Sequence, residues 1–300
     1  MQEVAIGRVG IFVNEGAGSA TSDRVREAVE LARQALDADL HVTATRVPAE
    51  LEAWLTERVD GYDTVIVAGG DGTLGVAYNV VAGRDVALGY IPGGFGNATR
   101  HLLKLPTDPK ALVDVLRAGV AREVDLVAVD SRLALFAGVG WDAIVARRYA
   151  ETGAKRLRGW AGAVTRSVPD LLRRPTVEVR ADGWVVHRGP MTLLVAGTTP
   201  FYGRGLKVNP GARPDAGRLS LRVFPGPARR FAVETARWAL RVSPHAKRVD
   251  AREVEVTSLD GSALPAQADG DVIGERETWT LSVRPKAVRL IGRWDGGSTA

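Results

Sequence analysis

The sequence predicts a two-domain protein of the α/β class: an N-terminal doubly wound α/β domain and a C-terminal, mainly antiparallel, β-sandwich-like domain. Short apolar runs alternate with helical patterns up to about Glu123, which is typical of a parallel sheet covered by helices on both faces. Polar, glycine-rich loops follow three of these runs. From Val124 onward the apolar runs are shorter and turn signals separate them, which favours antiparallel strands.

The predicted elements of the first domain follow in order along the chain. They are a strand at 10–13, a helix capped by Thr21 or Ser22, a strand at 40–45, a helix at 48–59, a strand at 64–68, a helix at 74–81, a strand at 86–91 and a helix opened by Asp108-Pro109. We expect this domain to comprise residues 1–123, and the segment 285–300 could return to it.

We expect residues 124–284 to form the β-rich domain. Its predicted strands are 124–129, 133–139, 176–180, 184–187, 191–196, 219–223 and 253–258, with two further strands at 278–283 and 287–291. The apolar run 133–141 is interrupted by glycines and is interpreted as a buried strand.

Composition is that of an ordinary soluble globular chain, with 300 residues, 45% hydrophobic and 25% charged. The absence of cysteine excludes disulfides and thiolate metal sites. No apolar run approaches the roughly 18–20 residues of a membrane span, and residues 1–14 lack the features of a secretory signal. We therefore expect a cytoplasmic protein, and its net charge of +5 indicates a mild attraction to acidic partners.

The loops at 14–19, 69–73 and 93–97 each follow a predicted strand. In open α/β sheets, ligands bind beyond the carboxyl ends of the strands. Glycines there let a ligand approach the backbone, and the amides that open the next helix suit a phosphate. Three such loops together predict a nucleotide-phosphate site.

Asp71 lies inside the second of these loops, where a carboxylate would repel a phosphate. Its presence is understandable if it handles Mg²⁺ or a hydroxyl proton. An exposed aspartate in a tight turn is the simpler alternative, and this stretch alone favours neither. The loop is not a Walker A motif, and residues 16–21 match the dinucleotide-binding fingerprint only in part.

Five groups of residues, spread in order over nearly the whole chain, carry a more specific signal. They are Asn14-x-x-x-Gly18; Gly69-Gly70-Asp71-Gly72-Thr73 with Ile91-Pro92-x-Gly94-x-x-Asn97; Gly138-x-Gly140-Trp141-Asp142-Ala143; Tyr202-Gly203-x-Gly205 with Pro210-x-Ala212-x-x-Asp215-x-Gly217-x-Leu219; and Gln267-Ala268-Asp269-Gly270-Asp271. In this order they resemble the diacylglycerol kinase catalytic-domain family, which includes bacterial lipid kinases, sphingosine kinase and ceramide kinase and is related to NAD kinases and phosphofructokinases. The resemblance implies an NAD kinase/diacylglycerol kinase-like fold, and phosphorylation of a lipid hydroxyl by Mg²⁺ and ATP in a cleft between the two domains.

The resemblance also implies a role for individual residues. The implied ATP-binding residues are Asn14, Thr45, Gly69, Gly70, Asp71, Gly72, Thr73, Gly94 and Asn97. Asp71 would help to organise the phosphates and the metal, and Asp215 would be a ligand of an accessory metal ion. Asp271 would be the general base, so that the implied catalytic residues are Asp71 and Asp271. Asp142 and Asp269 would contact the lipid substrate.

The chain departs from the family at four positions. Asp271 replaces the glutamate of an Asp-Gly-Glu element and keeps a carboxylate that is one methylene shorter. Phe95 stands where the family usually has a phosphate-binding threonine, and Ala98 and Ala216 each replace an aspartate. A protein that binds nucleotide or lipid without catalysis is therefore one alternative. A kinase for a soluble substrate, NAD or a sugar, is the other.

Residues 147–174 are rich in arginine and predict a helix with one apolar face: Trp160, Val164, Val168 and Leu171. Such a helix can lie on an anionic membrane, and packing on the β-rich domain with a solvated basic side is the alternative. A similar spacing predicts core packing for three further residues: Phe231, Trp238 and Val242. The expected partners are thus a lipid substrate and an anionic membrane surface. A homodimer is compatible with the sequence, and no nucleic-acid-binding module is recognisable.

Overall fold

A computed structural model of the 300-residue chain describes residues 2–3, 6–16, 20–94, 96–152, 157–202, 205–240, 242 and 244–294. The backbone divides into two compact units. The first unit is Met1–Val124 with Lys286–Ala300, and the second unit is Asp125–Pro285. In the described part of the chain, no helix is long and apolar enough to cross a bilayer.

The first unit has the doubly wound α/β architecture that the sequence predicts. Its elements are β1 (Gln2–Glu3), β2 (Val9–Asn14), α1 (Asp23–Ala35), β3 (Asp39–Thr43), α2 (Pro48–Thr56), β4 (Thr64–Gly69), α3 (Asp71–Val81), β5 (Ala87–Pro92), α4 (Ala98–Leu102), α5 (Pro109–Arg117) and the start of β6 (Val120–Val129). Strands β5, β4, β2 and β3 lie side by side in that order, and neighbouring strands run parallel.

The apolar runs become strands because both faces of this sheet are covered. Every residue of β2 and β4 is buried, while α1 packs with α5 and α2 packs with α3. Helix α5 begins as predicted, with Asp108 accepting a hydrogen bond from the amide of Ala111 at 2.8 Å and Pro109 in the first position. The parallel order places the loops after β2, β4 and β5 at one edge of the sheet.

The second unit is a sandwich of two antiparallel sheets with helices added. Its elements are β7 (Arg132–Ala134), β8 (Phe136–Gly140), α6 (Trp141–Glu151), α7 (Leu157–Ser167), a 3₁₀ helix (Val168–Leu172), β9 (Thr176–Ala181), β10 (Trp184–Pro190), β11 (Leu193–Gly197), β12 (Leu219–Phe224), α8 (Ala228–Ala239), β13 (Arg248–Ala251), β14 (Glu253–Ser258), β15 (Leu264–Ala268), β16 (Asp271–Arg276) and most of β17 (Thr278–Ile291). One sheet has the order β10-β9-β14-β17 and the other β13-β12-β11-β8-β15-β16.

The core of the second unit lies between these sheets, and side chains from both contribute to it. Trp279 of β17 is almost fully buried there, and its indole nitrogen donates to the carbonyl of Leu264 at 2.8 Å. A second apolar cluster covers the other face of the six-stranded sheet, where Leu171 of the 3₁₀ helix and Phe231 of α8 pack against Phe224. This arrangement is the predicted β-sandwich-like domain.

The predicted apolar face on residues 160–171 is wrong. Helix α7 ends at Ser167, and a 3₁₀ helix with Pro169 in its first turn follows. Of the four predicted residues only Leu171 is buried, while Trp160 and Val168 are 36% and 51% exposed. The residues of this segment that point inward are Ala163, Ser167 and Leu171.

Three other predictions also need correction. Phe231 packs in the core as predicted, but α8 ends before Val242, which is 44% exposed; the side chain of Trp238 lies outside the described part. The run 133–141 forms two strands and the start of α6 rather than one strand. The two strands predicted after Glu277 are a single one, β17, whose first residues pair with β14 and whose Arg289 and Leu290 pair in parallel with β5.

Candidate active site

The loops after β2, β4 and β5 meet at the carboxyl edge of the first-unit sheet. The amide of Gly93 donates to the carbonyl of Gly69 at 2.6 Å, which ties the β5 loop to the β4 loop. The side-chain amide of Asn14, at the end of β2, donates to the hydroxyl of Thr73 at 3.3 Å. Asn14 also accepts from the amide of Gly16 at 3.0 Å. All three loops are therefore joined by hydrogen bonds.

Two glycines are required by the close approach of these loops. A Cβ atom on Gly94 would lie 2.6 Å from the Cα of Gly70, so the two loops touch backbone to backbone. A Cβ on Gly69 would lie 2.7 Å from the side chain of Thr73. No side chain on either residue fits without moving the backbone. The glycines thus make a junction lined by main-chain atoms, which suits a phosphate.

Helix α3 opens at this junction with its first amides free of a side-chain cap. Gly70 is the N-cap residue and provides no side chain, and the first intrahelical bond runs from the amide of Leu74 to its carbonyl. The amides of Asp71, Gly72 and Thr73 therefore have no partner within the helix. Together with the helix dipole they give the junction a positive potential.

Asp71 directs its carboxylate into the same junction. Oδ2 accepts a hydrogen bond from the amide of Ala98, the first residue of α4, at 3.1 Å. Oδ1 is shielded from solvent and has no hydrogen-bond partner in the described structure. Burial raises the pKa of Asp71 from 3.8 to about 6, and the amides of Ala98, Thr99 and Asn97 together with the hydroxyl of Thr99 oppose this rise. The position where the family has an aspartate thus contributes its backbone to Asp71.

Asn97 fixes the β5 loop. It adopts a left-handed conformation, with φ of 45°, and its side chain donates to the carbonyl of Gly94 at 2.8 Å while accepting from the amide of Gly94 at 3.0 Å. Its Oδ1 also accepts from the hydroxyl of Tyr90 at 3.0 Å. Sequence reasoning missed Tyr90. The available signal was a side chain with a hydroxyl group inside an otherwise apolar strand. Phe95 and residues 17–19 lie outside the described residues.

Thr45, predicted to bind ATP, lies beside the first loop but uses its hydroxyl elsewhere. The hydroxyl donates to Glu50 at 2.6 Å and accepts from the amide of Val47 at 3.1 Å, which organises the start of α2. The backbone of Thr45 contacts the loop after β2, because a Cβ on Gly16 would overlap its carbonyl. Thr45 therefore shapes the loop in this structure through its main chain.

Asp142, the second residue of α6, lies at the centre of a polar network in the second unit. Its Oδ2 accepts hydrogen bonds from the hydroxyl of Tyr202 and from the side-chain amide of Gln267, the latter at 2.9 Å. Its Oδ1 accepts from the amide of Ala143 at 2.8 Å. Burial raises the pKa of Asp142 from 3.8 to about 6, and these donors oppose the rise.

Asp142 can lie here because Gly138 leaves room on β8. A Cβ on Gly138 would overlap the Asp142 carboxylate. Tyr202 and Gln267 were not assigned roles from the sequence, although both stand within the motifs that carry the resemblance. Their distance from Asp142 along the chain hid the network.

Asp269 has a structural task in the turn between β15 and β16. It has a φ of 49°, and its carboxylate accepts hydrogen bonds from the amides of Leu135 and Phe136 at 3.0–3.1 Å. The amide of Gly270 in turn donates to the side-chain oxygen of Gln267 at 2.7 Å. The turn is therefore locked onto β8 and onto the Asp142 network. The predicted substrate residue is committed to backbone amides in this structure.

Asp271, the predicted general base, begins β16. Its Oδ2 lies 2.8 Å from the guanidinium of Arg132 on β7, and both side chains are partly exposed. A second ion pair joins the same two regions, because Arg276 at the end of β16 lies 2.9 Å from Asp130. Arg132 was missed from the sequence, since nothing local relates residues so far apart. The pair fixes the direction of the Asp271 carboxylate.

Asp215, the second predicted metal ligand, lies in the turn before β12 and is 3.3 Å from Arg213. Its turn is held by Asp125, a buried residue of β6 that accepts from the amide of Gly217 at 2.5 Å. Sequence reasoning did not identify Asp125. Within the described ranges, no group of three or more acidic or histidine side chains forms a metal cage.

Comparison with known proteins decides the family. The profile of the diacylglycerol kinase catalytic domain matches residues 8–129, and that of the YegS C-terminal NAD kinase beta sandwich-like domain matches residues 136–292. The chain belongs to the diacylglycerol kinase catalytic-domain family. The two matches together cover both units.

Curated relatives of this diacylglycerol kinase-family chain carry matching names. A diacylglycerol kinase of Mycobacterium tuberculosis is 32% identical over 173 residues, which is 54% of this chain and 54% of that protein. The chain thus spans about half the length of that relative. A probable YegS-like lipid kinase of Stenotrophomonas maltophilia is 28% identical over 223 residues, covering 69% of this chain and 71% of that protein.

Solved structures show the same fold. A diacylglycerol kinase structure from Bacillus anthracis superposes with a TM-score of 0.75 at 18% identity, covering 97% of this chain and 99% of that one. An NAD kinase of Archaeoglobus fulgidus in complex with ATP superposes with a TM-score of 0.52 at 15% identity. At these identities both likenesses concern the fold alone.

The residues of this diacylglycerol kinase-family chain fit a magnesium ion that is bound mainly by water and substrate phosphates. Mg²⁺ is usually held by one or two carboxylates together with water and substrate phosphates, rather than by a cage of protein ligands. The unpartnered Oδ1 of Asp71 is a carboxylate oxygen of this type, beside a junction that suits phosphate. Asp71 therefore fits a metal ion that arrives with a nucleotide.

Proposed function

We propose that this protein is an ATP-dependent lipid kinase that transfers the γ-phosphate of Mg-ATP to the hydroxyl of a diacylglycerol-like or other long-chain lipid. One observation carries the proposal: Asp71 lies at a glycine junction lined by main-chain atoms, and one of its buried oxygens has no hydrogen-bond partner among the described residues. Family membership supports the same reaction class. The alternatives of a soluble substrate and of binding without catalysis are outcomes of the test below.

The first unit would bind the nucleotide. The amides at the start of α3, which have no partner within the helix, would donate to its phosphates, and the backbone contact between Gly70 and Gly94 would let the phosphates approach the main chain closely. Asn14 and Asn97 would hold the surrounding loops in place through their hydrogen bonds to Thr73 and Gly94.

Mg²⁺, when bound, would neutralise charge that develops on the transferred phosphoryl group. Asp71 would hold it, and Asp215, in the second unit, would be a ligand of an accessory metal ion. Because Asp71 has a pKa of about 6, it would be ionised at neutral pH and able to take this role.

Asp271 would act in the second unit as the general base. Its carboxylate would accept the proton of the lipid hydroxyl as the hydroxyl oxygen bonds to the γ-phosphorus, and the bond from that phosphorus to the bridging oxygen would break to release ADP. Arg132 would keep the carboxylate oriented. Asp142, supported by Tyr202 and Gln267, would accept a hydrogen bond from a polar group of the lipid head, and Asp269 would hold the turn that carries Asp271.

The test is transfer of radiolabelled γ-phosphate from ATP to a panel of diacylglycerols, other long-chain alcohols and NAD, with Asp71→Asn as the control. We expect a labelled lipid with the wild-type protein and none with the variant. Label on NAD alone would replace the proposal with a soluble-substrate kinase. ATP binding without transfer to any acceptor would indicate a protein that has lost catalysis.

A further inference from the structure

Two neighbouring elements of the second unit expose large apolar side chains. Leu172, at the end of the 3₁₀ helix, is 80% exposed, and Leu240, directly after α8, is 76% exposed. Val168 and Val233 of the same elements are each about half exposed. A single exposed leucine is normal on a protein surface, but strongly exposed apolar residues on two neighbouring elements indicate an interaction surface.

Both elements are fixed on the same face of the six-stranded sheet. Leu171 and Phe231 belong to one apolar cluster there, and Trp141 connects the two elements. The Trp141 ring packs edge-on against Phe231, with centroids 5.2 Å apart, while its nitrogen donates to the carbonyl of Ser167 at 2.6 Å. The α7 region and α8 therefore lie side by side on this face.

The exposed residues point away from the sheet. Val233 and Leu240 are seven residues apart, so they share one side of a helix, and each lies about half a turn from the buried Phe231. Leu172 follows the buried Leu171 and points outward in the same way. We call Val168, Leu172, Val233 and Leu240 with the arginines of their elements the α7–α8 surface.

The charge of the α7–α8 surface is positive. Its basic residues, all from described segments, are Arg158, Arg166, Arg173, Arg174, Arg229, Arg230 and Arg237. The two acidic residues of the same segments are engaged elsewhere. Asp170 pairs with Arg148 of α6, and Glu234 is buried and accepts from the amide of His245 at 3.1 Å.

We propose that the α7–α8 surface docks on an anionic lipid bilayer. Outward leucines among arginines, without exposed acids, are the chemistry of a segment that lies in a membrane interface. The headgroup phosphates of such a bilayer match the arginines, and its acyl chains match the leucines. The inference rests on the proposed function, because a lipid kinase must reach a substrate that lies in a bilayer.

The test measures cosedimentation of the full chain with vesicles of phosphatidylglycerol and phosphatidylcholine, without nucleotide. Leu172→Gln and Leu240→Gln are each expected to weaken binding about tenfold, since each removes a leucine that would become buried in the bilayer interface. Arg229→Gln is expected to weaken it about fivefold, and added salt should weaken binding further. Trp184→Gln is the matched control, because Trp184 is equally exposed, at 80%, but lies on β10 of the other sheet.

Binding of the wild type that is absent, or equal on vesicles of phosphatidylcholine alone, would overturn the proposal. So would a loss for Trp184→Gln as large as for the leucine variants. Phosphorylation of a water-soluble, short-chain diacylglycerol separates this inference from the proposed function. If the leucine variants lose vesicle binding and keep that activity, the surface is a docking surface; if the wild type binds vesicles but phosphorylates no lipid, only the proposed function fails.

Discussion

The carboxylate of Asp71 has a folded-state pKa of about 6, which exceeds its unfolded value of 3.8. Between these values the folded protein binds more protons than the unfolded chain, so its free energy of unfolding falls as pH rises. Asp71→Asn removes this effect. We expect the variant to gain stability relative to the wild type from pH 4 to pH 6.5, by about 3 kcal/mol at most, at 1.36 kcal/mol per unit of pKa. Urea unfolding at each pH measures the difference.

The comparison isolates Asp71 because Asp142, with a similar pKa of about 6, is present in both proteins. A difference in stability that stays constant across this pH range would contradict the assignment. Asp142→Asn, compared with the wild type in the same way, should show the same sign, since burial is the first cause of both shifts.

Asp271 and Asp130 form a matched pair for testing the general base. Each takes part in an ion pair that links β16 to the β6–β7 region, and their side chains are 43% and 47% exposed. Asp271→Asn is expected to lower kcat by roughly 10²–10⁴-fold, as loss of a general base does. Asp130→Asn breaks an equivalent surface pair, worth about 1 kcal/mol or less, and should leave kcat within about twofold. Steady-state kinetics with equal losses in both variants would assign Asp271 a structural role only.

The sequence alone identified those residues of the candidate site that lie within a local motif. Asp71, Asn97 and Asp142 stand beside glycines at strand ends, and such a pattern is local. Their partners are not local: Gln267 is 125 residues from Asp142, and Arg132 is 139 residues from Asp271. Only the folded chain brings these pairs together, so one sequence offers no signal for them.

At the scale of elements, the junction between the β4 and β5 loops depends on the absence of side chains. Gly94→Ala places a Cβ 2.6 Å from the Cα of Gly70, and because that neighbour is backbone, the loops must separate. Overpacking of this kind costs about 1–3 kcal/mol, so we expect ATP affinity to fall roughly ten- to a hundredfold. Calorimetric titration with ATP measures the change.

Gly75→Ala, in the same region, is the control. Gly75 lies inside α3, and a Cβ there meets no atom within 4 Å. Alanine should raise the free energy of unfolding by roughly 0.5–1 kcal/mol, because glycine loses more conformational freedom in a helix. ATP affinity should be unchanged. Equal affinity for ATP in Gly94→Ala and Gly75→Ala would show that the junction is not the phosphate site.

Continuous apolar runs between turn signals were predicted well, and an amphipathic helix was not. The apolar runs of β4 and β5 are buried strands, and their observed bounds differ from the predicted ones by one residue at each shifted end. In the segment from Leu157 to Leu172 the buried side chains are those of Ala163, Ser167 and Leu171, whereas the prediction followed the large apolar residues Trp160 and Val168. The error arises because a small and a polar residue form most of the buried face there, and a list of apolar positions does not show this.

At the scale of the whole molecule, the first unit is built from two separate stretches of the chain. Strand β17 ends in it, where Arg289 and Leu290 pair with Ala87 and Leu88 of β5. The alternation of strands and helices predicted the doubly wound fold, because each element has a recognisable local sequence pattern. Which later strand returns to the sheet depends on pairing between distant segments, and the sequence indicated only that the segment 285–300 could do so.

The stability of the first unit is expected to depend on the end of β17. Leu290 is buried beside β5, and Leu290→Asp would remove its apolar contacts and bury a charge, at a cost of about 5 kcal/mol or more. That is comparable to the entire stability of a typical domain. We expect amide hydrogen exchange to show lost protection in β4 and β5 first. Lys286→Ala is the control, since it removes an exposed ion pair with Glu123, and the loss of such a pair should cost about 1 kcal/mol or less. Full protection of β5 in Leu290→Asp would mean that the first unit is stable without its last strand, and that residues 1–124 alone form the nucleotide-binding fold.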